Sequence, residues 1–80
     1  MAGTTDQREY SSTIDIQLRV EGRLLDVTQV SESFLVLKAP AFVPPETEAE
    51  VIIIVDGRPR TRKIFLHDGI YPNDLRVTFL

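Results

Sequence analysis

The chain has 80 residues, no cysteine and a formal net charge of −3. That length fits one domain with a small core, and the missing thiols exclude disulfide staples, thiol redox chemistry and cysteine-based metal sites. The mildly acidic balance argues against general nucleic-acid binding, and no stretch is long enough to span a bilayer, so neither nucleic acid nor membrane is an expected partner.

Residues 1–12 are polar, with Tyr10 the one aromatic. They read as a tail, without the basic-then-apolar layout of a signal peptide, and a cytoplasmic location is expected. A single β domain is expected over residues 13–80. Thr13 to Val20 alternates cleanly, with Ile14, Ile16, Leu18 and Val20 on one side. This is the period of a half-buried strand. Glu21-Gly22 reads as a tight turn, and Arg23 to Thr28 returns as a second strand with Leu25 and Val27 on one side. Gln29 to Ser33 is a polar connection interrupted by Val30. Phe34 to Lys38 is a third strand.

Ala39 to Ala49 carries Pro40, Pro44 and Pro45, which remove backbone donors and favour a loop. Phe42 and Val43 are expected to tuck beneath it, and Glu46 to Glu50 could form one helical turn. Val51-Ile52-Ile53-Ile54-Val55 follows, an unbroken β-branched run that must be a strand. Asp56-Gly57 is a strong hairpin signal, and Arg60 to His67 is the expected partner strand, with Pro59 at its entry. Ile64 and Leu66 share parity with Arg60 and Arg62, so a β-bulge near Arg62-Lys63 is expected to reconcile the apolar and basic halves. Leu75 to Leu80 closes the chain, with Leu75, Val77 and Phe79 on one side. The whole predicts an all-β fold, a small antiparallel β-barrel of about six strands.

The β-branched run sets a further requirement. Alternate side chains on a strand point to opposite faces, so Val51, Ile53 and Val55 cannot share a face with Ile52 and Ile54. Both faces want cover. One lines the core; the other calls for a second layer, from a twin subunit or another protein.

The layout resembles a PilZ-type barrel, the bacterial module best known for binding cyclic di-GMP. Leu24-Leu25-Asp26-Val27-Thr28-Gln29-Val30-Ser31 stands where that family has its Asp/Asn-x-Ser-x-x-Gly turn. Phe34-Leu35-Val36-Leu37 follows as the hydrophobic strand, and Val43-Pro44-Pro45-Glu46-Thr47 matches the approach to the next long strand. The resemblance covers Ile14 to Leu66. It departs at Thr28, where the family has Ser, and at Ser31, where it has Gly. The family's Arg-x-x-x-Arg clamp ahead of the first strand is missing; Arg8 stands alone, and Arg19 to Arg23 has the spelling but spans the first hairpin. The resemblance therefore implies a degenerate relative with an eroded nucleotide site.

The remaining candidates are few. His67, the one histidine, reads as a solvated strand-end residue rather than a base or metal ligand, which would need partners in reach. Asp26 reads as an Asx-type cap on the turn after Thr28. Arg58, Arg60, Arg62 and Lys63 form the one dense basic cluster, either an anion site or gatekeeping charges on an edge strand, with Glu50 able to pair with Arg58 or Arg60. No cofactor or metal is expected. The expected function is a non-enzymatic interaction domain acting through self-association or protein docking by the outer face of Val51 to Val55. The alternative is an anionic nucleotide (cyclic di-GMP) module using Arg58, Arg60 and Arg62, or Arg19 and Arg23, with Asp26, Thr28 and Ser31.

Overall fold

The computed structural model describes residues 13–80; the expected tail, residues 1–12, lies outside the described residues. Six strands form one antiparallel sheet: β1 (Ile14–Val20), β2 (Arg23–Val30), β3 (Phe34–Leu37), β4 (Thr47–Val55), β5 (Arg58–Leu66) and β6 (Arg76–Thr78). Their order is β5-β4-β1-β2-β3-β6, so β1 packs between the two strands that flank it in space, β4 and β2.

Both predicted hairpin turns form for the expected reason. Glu21-Gly22 and Asp56-Gly57 each hold two successive residues at positive φ, the handedness that matches the twist of the joined strands. The sheet then curls into a half-barrel. Its end strands meet at one point only, where Phe65 and Leu80 exchange two backbone hydrogen bonds of 3.0 Å each. Among the described residues, nothing pairs with the rest of the seam, along the first part of β5.

The concave face carries the core. Leu18 and Val20 of β1, Leu35 and Leu37 of β3, Ala49 and Val51 of β4, Ile64 and Leu66 of β5, and Val77 and Phe79 all pack there. Alternation makes this face: on β2, Leu25 and Val27 turn inward while Leu24 and Asp26 face water. The loop before β4 closes one end of the core. Val43 and Ile70 pair reciprocally at 2.9 and 2.8 Å and are both buried. Phe42 stays exposed, its ring edge-to-face with Tyr71 at 5.9 Å. Only Val43 of that predicted pair tucks in.

Gly69 is the tightest point of this closure. It has φ +71, and a Cβ there would lie 2.4 Å from the Val43 carbonyl oxygen and 2.8 Å from Pro44 C. Only glycine fits both the backbone and the space.

Three local expectations are corrected. The loop ends at Glu46, and Thr47 to Glu50 belong to β4 rather than to a helical turn, because their partners on β5 (Leu66 to Lys63) hold them extended. The β4–β5 register runs unbroken from Thr47–Leu66 to Val55–Arg58, so there is no bulge at Arg62-Lys63. The bulge lies in β2, between Val27 and Gln29, and it lets Val30 rejoin Leu35 on the core side. Without a bulge in β5, Arg58, Arg60 and Arg62 must occupy the same face as Ile64 and Leu66. The strand tolerates this because β4 and β5 run on past the packed body.

Candidate functional site

The β4–β5 hairpin and the neighbouring start of β1 form the region where chemistry and exposure meet. On the concave side, Ile14 pairs with Val55 and Ile16 with Ile53, while Ile53 and Val55 pair across to Arg60 and Arg58. These side chains share one face. Ile16 and Ile53 are half-buried, but Ile14 is 56% and Val55 37% exposed. Ile53, Val55, Asp56, Arg58 and Arg60 line a shallow depression of about 770 Å³. Asp56 ties the hairpin tip to the start of β1: its Oδ1 accepts from the Thr13 amide at 3.2 Å and its own amide donates to the Thr13 carbonyl at 2.9 Å.

The β-branched run is graded along its length. Val51 is buried in the core. Ile52, on the convex face between Gln17 and Thr61, is only 8% exposed. Ile54 on that same face is half-buried. Within this run the most exposed residue is Val55, at the far end of the concave face, and not Ile52 or Ile54 on the outer face that was expected to dock.

The three arginines do not act alike. Arg62 reaches over the open seam, its guanidinium carbon 5.6 Å from the centre of the Phe79 ring and Nη2 donating to the Glu32 carbonyl at 3.4 Å. It shields the edge of the core as a cation–π lid. Arg58 and Arg60 form no ion pair among the described residues. Glu50 pairs with neither, which corrects the expected cross-hairpin bridge. Glu50 is on the convex face, where Arg19 Nη2 lies 2.9 Å from its Oε1, while Arg58 and Arg60 are on the concave one.

Asp26, Thr28 and Ser31 are not gathered with the arginines. Asp26 and Thr28 project from the convex side of β2, opposite in face to Arg58, Arg60 and Arg62. Thr28 Oγ1 donates to the Val36 carbonyl at 3.2 Å. The Asp26 carboxylate makes no hydrogen bond among the described residues, so it does not cap the turn. Ser31 does: its Oγ accepts from the Ser33 and Phe34 amides at 3.4 and 3.3 Å. The turn's donors, the Ser33 and Phe34 amides, are two and three residues past Ser31 but seven and eight past Asp26, beyond the reach of a local side-chain cap. The other clamp candidates, Arg19 and Arg23, are also committed elsewhere, Arg23 Nη2 donating to the Phe42 carbonyl at 2.9 Å.

His67 Nε2 lies 3.2 Å from Asp68 Oδ2, and its buried Nδ1 has no partner among the described residues. No group of three or more His, Cys, Asp or Glu side chains that could hold a metal converges among the described residues. Among the described residues no helix is long and apolar enough to cross a membrane.

One further feature depends on the place of β5 in the sheet: the direction of its backbone groups. Because Phe65 gives both its N–H and its C=O to Leu80, those of Lys63, Thr61 and Pro59, two, four and six residues back, point the same way, off the open edge. Pro59 lacks an N–H on that side, as an edge strand permits. The signal was available in the position of Pro59 alone, but its meaning depends on β5 being an edge.

Against this geometry, no family model, no curated protein and no solved structure matches the chain.

Proposed function

We propose that this chain is a non-enzymatic interaction domain, a degenerate PilZ-like half-barrel whose β4 apolar run mediates self-association or the docking of a protein. The observation that carries the reading is the apolar strip at the hairpin end, where Ile14 and Val55 continue the core face into solvent. A contiguous exposed strip continuous with a core marks a contact surface more often than chance exposure does. Asp56 on one side and Arg58 and Arg60 on the other give it a rim of both signs. Such a rim can meet its own copy across a two-fold axis, acid to base.

The layout along the chain supports the PilZ-like part of the reading: a strand that carries Asp26 and Thr28 into a turn capped by Ser31, a short apolar strand, a proline-bearing approach and then the longest strands. The same geometry gives the cyclic di-GMP alternative little support. Its basic and turn residues lie on opposite faces of the sheet, and Ser31 is consumed as a turn cap.

Sedimentation velocity over the micromolar range is the test. The wild-type chain is expected to shift toward a dimer as concentration rises, and Ile14→Asp or Val55→Asp to stay monomeric while keeping the wild-type circular dichroism. A wild-type chain that remains monomeric throughout, with concentration-independent methyl resonances for Ile14 and Val55, defeats the self-association reading.

A further inference from the structure

The open edge of β5 supports a different contact from the apolar strip. The pair between Phe65 and Leu80 starts an antiparallel ladder on that edge, and the next positions, Lys63 and Thr61, carry outward N–H and C=O groups with no partner among the described residues. An unpaired edge of this kind accepts a further strand through main-chain hydrogen bonds. The side chains then decide which strand. Every charged residue of β5 is a cation: Arg58, Arg60, Arg62 and Lys63.

A second copy of this strand is the wrong occupant. Two-fold antiparallel pairing centred on Thr61 sets Arg60 of one chain against Arg62 of the other, twice over, and like charges placed directly opposite repel. The same row favours an extended segment carrying carboxylates. Acidic side chains opposite Arg60 would lie on the concave face and those opposite Lys63 on the convex one. The cations thus exclude the chain's own edge and admit an acidic one.

We propose that the β5 edge from Thr61 to Lys63 binds an acidic polypeptide segment by strand addition, extending the ladder that Phe65 and Leu80 begin. This contact uses backbone groups and cations rather than Ile14 and Val55, so it stands or falls separately from self-association.

The probe is an end-blocked octapeptide of alternating glutamate and threonine, followed by amide NMR and fluorescence anisotropy. The Thr61 and Lys63 amides are expected to shift and to gain protection from exchange. Thr61→Pro removes an N–H that β4 does not use and is expected to weaken binding about tenfold or more, the effect of losing one edge hydrogen bond and obstructing its neighbours. N-methylation of alternate peptide amides should do the same with the protein unchanged. A lysine-for-glutamate peptide should not bind, and raising the salt should weaken the acidic one. Self-association should persist in Thr61→Pro, and peptide binding should persist in Val55→Asp. Absence of shifts at Thr61 and Lys63, equal affinity for the N-methylated peptide, or equal binding of a single-stranded oligothymidylate would each overturn the proposal.

Discussion

The two ends of the sheet are built from the same residue types and differ in what surrounds them. In the body, Leu18, Leu35, Leu66 and Val77 fill the concave face, closed by the seam pair and by the Val43–Ile70 bridge. At the hairpin end, Ile14, Ile53 and Val55 occupy the equivalent face, but β4 and β5 have outrun β3 and β6, and no strand faces them among the described residues. An isoleucine's burial here is thus decided by the length of distant strands and not by its own alternation. The body holds the fold together; the overhang leaves Ile14 and Val55 exposed.

The sharpest way to separate the two regions is a pair of glycines with nearly the same backbone. Gly69 and Gly57 have φ +71 and +81, but an added Cβ would strike backbone at the first and meet nothing within 4 Å at the second. Gly69→Ala should therefore cost about 4 kcal/mol or more, enough to unfold a small domain, while Gly57→Ala should cost about 1 kcal/mol from backbone strain alone. Urea melts of the two variants measure this directly; similar losses would show that the overhang is as tightly packed as the body.

A smaller contrast is expected from truncating apolar side chains. Leu18→Ala, fully buried, should lose roughly 2–5 kcal/mol, and Val55→Ala less than about 0.5 kcal/mol. If Val55→Ala costs as much as a core truncation at low protein concentration, the hairpin end is packed within one chain and the strip is not a free surface.

The smallest effect distinguishes neighbouring arginines. Arg62→Ala removes the lid over Phe79 and the bond to the Glu32 carbonyl, for about 1 kcal/mol. Arg60→Ala should leave thermal stability within about 0.5 kcal/mol of wild type. Equal losses would mean that the two guanidiniums share one structural role.

Much of the fold was legible because alternation is a local property. The inward set Leu18, Val20, Leu25, Val27, Val77 and Phe79 follows from parity within each strand, and Glu21-Gly22 and Asp56-Gly57 announce their turns by residue type. The site was less legible. The cluster from Arg58 to Lys63 was visible, but its split into a core lid, two cations with no ion pair among the described residues and an edge was not. Nor was Ser31's replacement of Asp26 as the turn cap, which depends on how far β2 extends. The choice of Arg19 over Arg58 or Arg60 as partner to Glu50 required knowing that β1 lies beside β4 on the same face.

What the sequence determined by itself was the all-β character, the six strands, their turns and the two-faced nature of Val51 to Val55. These follow from side-chain stiffness, period and turn chemistry acting over a few residues. Only the tertiary structure decided the strand order, the bulge between Val27 and Gln29, the single closing pair at Phe65 and Leu80, and therefore which edge and which apolar strip remain open. The reason is that a side chain's parity is set by its own backbone, whereas its neighbours are set by strands dozens of residues away.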